Sequence, residues 1–333
     1  MRKLLTAISI SCIFIYCFGC TKAKNSIDNY TKECNTEQKY YNFYTGLECS
    51  KEENNNSAFM VIVENSERAR PQSGLSYADI LYETSAEGGI PRFLALFSSS
   101  YPSSIGPVRS VRPYFLDIIK EFNLPFAHCG GSLEALNTIS NDSSLISINE
   151  IDKGSYFWRD SSKAAPHNLY TSSDNIKKYI ADNSINIIKS KEYSYDENYF
   201  NSNDLNSANK INLIVNKSYN TSYEYKDNLY YKTMNSKPAI DSLNNSQLCF
   251  SNIIIQKTPI SLCSDNSHLN IPLIGDGDGF VFSKGKMIEA KWSRSSKDSK
   301  TKLTDIKGNE IFLSPGKTMW NIVDIKSKIE ILH

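Results

Sequence analysis

This sequence is poor in histidine, in arginine and in net charge. Four histidines occur in 333 residues, and the formal charges sum to +1. So small a net charge excludes global steering toward nucleic acid or an acidic membrane surface. Past the leader no His-x-x-x-His or Cys-x-x-Cys pairing exists, so metal-ligand spacing is missing; a scattered His128, His167 and Glu87 set is the weak remainder. Gly275-Asp276-Gly277-Asp278-Gly279 is no calcium loop, because the twelfth position from Asp276 is Met287 where a bidentate Glu is required. Asp-Gly turns account for that run. No metal is expected, no motif asks for a cofactor, and no internal repeat is present. The longest apolar run, Leu4 to Phe18, is too short to span a bilayer comfortably.

What is present begins with an address. Met1-Arg2-Lys3 is a positive n-region before that apolar run. Cys17-Phe18-Gly19-Cys20 resembles a bacterial lipobox, with small Gly19 before the cleaved bond and Cys20 to carry the lipid. Cys17 stands where that motif has Leu, and Phe18 is bulky for it. The expectation is a signal peptide over residues 1–19 and a body held by lipidated Cys20 on the outer face of the cytoplasmic membrane. An uncleaved anchor would leave the body on the same side. Of eight cysteines, Cys34, Cys49, Cys129, Cys249 and Cys263 remain for the body. Cys34 with Cys49 and Cys249 with Cys263 are the local pairings, leaving Cys129 over; reduced thiols throughout also suit a large domain.

Residues 20–56 read as the lipidated cysteine and a flexible tether, too poor in apolar surface to fold alone. Tyr40, Tyr41, Phe43 and Tyr44, followed by Thr45-Gly46-Leu47, are the exception and are placed to dock on the first domain. Residues 57–190 mix strands and helices. Ala58 to Val63 is a buried strand, Ile80–Glu83 and Arg92–Phe97 form a hairpin through Glu87-Gly88-Gly89, and Pro113 opens a helix burying Tyr114, Phe115, Ile118, Ile119 and Phe122. Residues 191–210 turn rich in Tyr, Asn, Ser and Asp and read as an interdomain linker. Residues 211–333 are short strands between turn signals. The fold class is therefore α+β: a mixed α/β N-terminal domain layering sheet and helix, and a second, mostly antiparallel β domain.

The stretch Phe126–Leu136 is a strand, two glycines, the N-cap Ser132 and a helix. Gly130 and Gly131 can turn successive N–H groups into one concavity at a helix start, a geometry that suits a carboxylate, a phosphate or an oxyanion. Its plain alternative is a tight turn without ligand. Of seven arginines after the leader, six fall between residues 57 and 160: Arg68, Arg70, Arg92, Arg109, Arg112 and Arg159. Arginine kept to one domain of a Lys-rich chain points to sites needing its planar fork. These are either an anionic ligand or internal pairs with Asp79, Glu83, Glu87 and Asp117. His128 and His167 sit in marked loops. Cys129 would make a thiol nucleophile only if His167 supplied the base, since adjacent strand residues such as His128 point to the opposite face.

Together these pieces resemble the YerB-like lipoproteins. The resemblance is carried by Thr45-Gly46-Leu47, Arg68 to Leu75, Ala78-Asp79-Ile80, Tyr82-Glu83, Ala86 to Gly89 with Arg92 to Ala95, Gly106 to Ser110 with Arg112-Pro113-Tyr114, His128 with Gly130 to Ser132, and Ala165 to Tyr170. In the C-terminal half it is carried by Gly277 to Phe282, Gly285-Lys286, Trp292 and Leu313 to Lys317. It implies two modules on a lipid-anchored extracytoplasmic protein, the first α/β-type and the second β-rich. Cys129 departs from the small residue usual before those glycines. The functional expectation is binding of an anionic cell-envelope ligand, such as peptidoglycan, or of an envelope protein. Arg92, Arg109, Arg112, Glu87, His128, Gly130, Gly131, Ser132, His167 and Asn168 would form the site. The alternatives are an envelope hydrolase or acyl transferase using His167 with Cys129 or water, with His128 a further candidate, and a non-catalytic assembly scaffold.

Overall fold

In the computed structural model of the protein, residues 38–54, 57–189, 193–265 and 268–333 are described. The leader, Cys20 and Cys34 lie outside them. Strand β1 (Phe59–Glu64) is apolar on both faces and wholly buried, as a central strand must be. It pairs with β3 (Pro91–Phe97), which returns antiparallel from β2 (Ile80–Ser85) around Glu87–Gly89, so the expected hairpin forms. Pro113 starts helix α1 (Pro113–Phe122), and Asn123 closes it in the left-handed region, its N–H donated to Ile119. β4 (Phe126–His128), α2 (Leu133–Asn141) and β5 (Ser147–Asn149) follow, with β4 and β5 parallel to β1's direction. Helix α3 (Ser173–Asp182) is capped by Ser172.

The C-terminal half is strand and turn. It contributes β6 (Asn206–Ser207), β7 (Lys210–Ile214), β8 (Asn220–Lys226), β9 (Leu229–Met234), β10 (Lys237–Pro238), β11 (Cys249–Phe250), β12 (Asn252–Thr258), β13 (Gly275–Ser283), β14 (Lys286–Arg294), β15 (Lys302–Asp305), β16 (Thr318–Asp324) and β17 (Lys328–Leu332). Two large sheets result. The main one has eleven strands in the order β6-β14-β13-β12-β16-β2-β3-β1-β4-β5, with β15 on β14. The second has six, β10-β9-β8-β7-β17 with β11 on β9. β16 lies parallel to β2 from Thr318 opposite Ile80 to Ile322 opposite Thr84, so the two halves of the chain share one continuous sheet.

Two cores follow from the strand alternation. Met60, Ile62, Tyr82, Leu94 and Trp320 face α1 and α2; Val61, Val63, Leu81, Phe93 and Ile253 face α3 and the second sheet. Each core draws on both halves of the chain. Tyr44 is fully buried beside Phe122, so the aromatic end of the tether docks as expected. The segment read as a linker is structured over its described part: it buries Tyr193 and Phe200 and supplies β6. Gly275–Gly279 is not a set of turns but the start of β13. Its glycines admit close neighbours, since a Cβ on Gly277 would lie 2.6 Å from Trp292 Nε1. Cys249 and Cys263 are free thiols, as is Cys49. Cys249 is fixed in β11 of the second sheet, and Cys263 lies between the two strands of a separate ribbon, which keeps that expected pair apart.

Candidate functional site

The carboxyl ends of β1 and β2 gather most of the arginines. Across β1, β3 and β2, Glu64, Arg92 and Thr84 are in register, so their side chains share the face that carries α1. The extended segment after Pro107 brings Arg109 and Arg112 to the same end: Val108 bridges to Val63, and Arg109 N–H donates to Ile62. Arg112 precedes Pro113 and stands at the start of α1.

Each fork meets a carboxylate. Arg112 donates to Glu87 through Nε at 2.6 Å and Nη2 at 2.8 Å, a bidentate pair. Arg92 spends Nη1 on Ser110 O at 2.7 Å, while its Nη2 stands a loose 3.5 Å from the same Glu87. Glu64, only 3% exposed, accepts from Ser66 Oγ and lies 2.8 Å from His167 Nδ1. Its other oxygen is 3.2 Å from Arg109 Nε without the alignment of a hydrogen bond. Three guanidinium groups thus face two carboxylates, leaving one positive charge in excess. Burial, then the neighbouring Arg112 and also Arg109, pushes the Arg92 guanidinium down to about 10. Burial acts upward on Glu87, but the hydrogen bonds and charge of Arg112 outweigh it and hold the carboxyl below its ordinary value.

Three buried oxygens in this neighbourhood lack a hydrogen bond among the described residues: Glu64 Oε2, Thr84 Oγ1 and the Tyr114 hydroxyl. Burial raises that hydroxyl well above the ordinary tyrosine value, the charge of Glu87 adding to the rise and those of Arg92 and Arg112 opposing it. Buried polar atoms are rarely left without a partner.

The glycine step plays another part. Cys129 N–H donates to Arg109 O, Gly130 N–H to Asn149 Oδ1 and Ser132 N–H to Val111 O. These donors are spent inside the fold, so the expected anion nest is instead a splint holding the Arg109–Arg112 segment. Gly130 has φ +62°, as that turn needs, and Ser132 caps α2 by accepting from Ala135 N–H. His128 is fully buried with Nδ1 2.8 Å from Gly130 O and Nε2 2.7 Å from Ser147 Oγ. A carbonyl can only accept, so Nδ1 carries a proton. Burial presses its pKa down to about 4. Cys129 Sγ donates to Glu150 at 3.2 Å, and burial followed by that hydrogen bond pushes the thiol up to about 11. It is a poor source of thiolate. Asn168 accepts from Arg159, which also pairs with Glu150.

The sequence had offered Asp79, Glu83, Glu87 and Asp117 as arginine partners, and only Glu87 serves. Asp79 accepts from Ser98 and Ser99; Glu83 pairs with Lys232; Glu121 takes Arg294. Glu64 and Tyr114 escaped notice. A charge closing the apolar run Ala58–Val63 was the one signal for Glu64, and Tyr114 was legible only as a residue of the helix core.

Comparison with known proteins accords with this architecture. Residues 44–186 match the family described as "Protein of unknown function (DUF3048) N-terminal domain", and residues 210–320 match its C-terminal counterpart. The chain is 31% identical over 334 residues to "Putative lipoprotein YerB" of Bacillus subtilis (strain 168), covering 97% of this chain and 96% of that one. A crystal structure of the YerB protein from Bacillus subtilis superposes with a TM-score of 0.79 at 29% identity, over 87% of this chain and 99% of that one. No helix among the described residues is long and apolar enough to cross a membrane. The chain therefore belongs to the YerB-like lipoprotein family, with its N-terminal and C-terminal DUF3048 domains joined through one continuous sheet.

Proposed function

We propose that this protein is a lipoprotein anchored through Cys20 at the outer face of the cytoplasmic membrane, and that it binds an anionic cell-envelope ligand without turning it over. The ligand's negative group sits at the sheet end, against Arg92 Nη2 and the Tyr114 hydroxyl, with Arg109, Arg112 and His167 around it. One observation carries this reading: an excess guanidinium charge is buried beside oxygens that have no hydrogen bond. An anion supplies the missing negative charge and an acceptor for the Tyr114 hydroxyl, while Glu64 Oε2, itself an acceptor, stays beside Arg109; it also relieves the repulsion among the arginines. Turnover is not part of the reading because Cys129 is held as a thiol and His128 is enclosed.

Isothermal titration of the soluble body, residues 38–333, with acetate, phosphate and carboxylate-bearing muropeptides tests it. Arg92→Met should weaken binding of the effective anion at least about tenfold, the size of a lost charge-assisted hydrogen bond. Unchanged affinity in both Arg92→Met and Arg112→Ala would remove the sheet-end site.

A further inference from the structure

The tether and the arginines meet opposite ends of β1. The tether closes in a short ribbon, with Tyr40 opposite Cys49 and Tyr41 opposite Glu48. In its turn Asn42 donates to Ser98 Oγ at 3.1 Å, and Ser98 follows Phe97, the residue of β3 opposite Phe59. Gly316 N–H donates to Thr45 O and fixes the same turn from the C-terminal half. The ribbon is therefore seated at the amino end of β1. Glu64, with Arg92 opposite it and Arg109 beside it, is at the carboxyl end. Trp158 belongs to the carboxyl end too. It pairs with Tyr170, whose ring covers Gly106, and the next residue, Pro107, accepts from Glu64 N–H.

The amino end carries apolar side chains that the fold leaves uncovered: Tyr41 is 52% exposed, Leu47 47% and Ile188 72%. Lys189 brings Ile188 to the ribbon, since its ammonium stands 5.8 Å from the centroid of the Phe43 ring and donates to Asn54 O. Lys39, Lys51 and Lys189 are offset there by Glu48, Glu52 and Glu53, so no net charge repels this face from anionic headgroups. Residues 21–38 are all that separate it from Cys20, a reach of at most about 60 Å. Leu133, Ile151 and Trp158 are exposed as well, but they follow or flank the carboxyl ends of the strands, where no anchor delivers them.

Resting on the lipid anchor proposed above, we infer that Tyr41, Leu47 and Ile188 form the face by which the body rests on the bilayer. Their side chains enter the headgroup layer, and the arginine site, at the other end of β1, faces away from the membrane. A tyrosine suits the headgroup boundary, and leucine and isoleucine gain by leaving water. A lipid holds the body beside the bilayer at an effective concentration of order millimolar, so a contact of three side chains suffices.

The test uses the full acylated chain in vesicles of phosphatidylethanolamine and phosphatidylglycerol, with and without bromine on the acyl chains as a fluorescence quencher. Tyr41→Trp places a reporter in the ribbon, and the fluorescence it adds should be quenched, while the wild type, whose exposed indole is Trp158, should not be. Adding Leu47→Ser and Ile188→Ser to Tyr41→Trp should weaken the contact at least about tenfold and remove most of the quenching. Quenching of the wild type, or quenching that survives the two serines, would overturn the inference. A Tyr41→Trp chain that floats with the vesicles yet is not quenched would overturn the inference alone and leave the anchor standing. A chain that does not float with them would overturn the anchor and the inference together.

Discussion

At the scale of the residue, burial decides which side chains do chemistry. His128 stands before the two glycines that drew attention in the sequence, yet its ring is enclosed, stacked on Phe126 and bonded at both nitrogens. Its consequence is for stability. The folded pKa of about 4 lies below the unfolded value of about 6.5, so on acidification the unfolded chain takes the proton first. Stability conferred by His128 is complete above pH 6.5 and is lost as pH falls toward 4, by about 3 kcal/mol at 1.36 kcal/mol per pH unit. Asp79 leans the other way. Burial lifts its carboxyl to about 6 despite hydrogen bonds from Ser99 and Ser98, so between pH 6 and 3.8 its folded form gains protons and stability. The two contribute slopes of opposite sign to the wild-type curve. Urea unfolding at pH 7 and pH 4 should therefore show His128→Gln losing about 3 kcal/mol less on acidification than the wild type; equal losses would mean that the histidine is not the acid-sensitive group.

Among the elements, the strand–glycine–helix step shows how one motif can be read correctly in form and differently in purpose. Strand, N-cap and helix lie where the residues indicated, because Phe126-Ala127-His128 alternates into both cores and Ser132 has a capping oxygen. Its N–H groups, however, brace Arg109–Arg112, a neighbour about twenty residues away that no local pattern reveals. The two glycines differ accordingly. A Cβ on Gly130 meets nothing within 4 Å, so Gly130→Ala should cost only the left-handed backbone, about 1 kcal/mol. A Cβ on Gly131 would stand 2.9 Å from Val111 Cγ1 and 3.2 Å from Leu136, so Gly131→Ala should cost about 2 kcal/mol through overpacking. Thermal and urea unfolding of the two variants checks the order, and Gly131→Ala should also weaken anion binding because Val111 sits between Arg109 and Arg112. A greater loss from Gly130→Ala would contradict the splint.

On the scale of the whole molecule, the two family domains are stitched through buried charge. Lys232 of β9, with a fully buried side chain, donates to Glu83 of β2 at 2.7 Å and to Tyr223 at 2.9 Å. Asn65 donates to the other Glu83 oxygen at 2.6 Å, and Tyr223 passes the chain to Asn321 of β16 at 2.7 Å. Asp241 accepts from the N–H groups of Gly74 and Ser76, and Glu121 and Arg294 meet near α1. Removing one member of a buried pair strands the other charge. Lys232→Met should therefore cost about 4 kcal/mol, while Lys232→Met with Glu83→Gln should regain at least half of that in urea unfolding. Additive losses would show that the pair does not couple the halves.

The sequence by itself determined the local forms: the α1 stripe, the hairpin around Glu87–Gly89, the caps, the strand-rich C-terminal half and the family to which these joined pieces belong. Each depends on residues within a few positions of one another, where period, capping and turn chemistry act. Only the tertiary structure decided that both halves share a sheet, that Glu64 and Glu87 meet the arginines, and that Cys249 and Cys263 stay apart. Those outcomes turn on which strand lies beside which. The parallel seam of β16 on β2 joins residues more than two hundred positions apart, and it satisfies backbone groups that are the same in every residue, so no side-chain pattern along the chain could announce it.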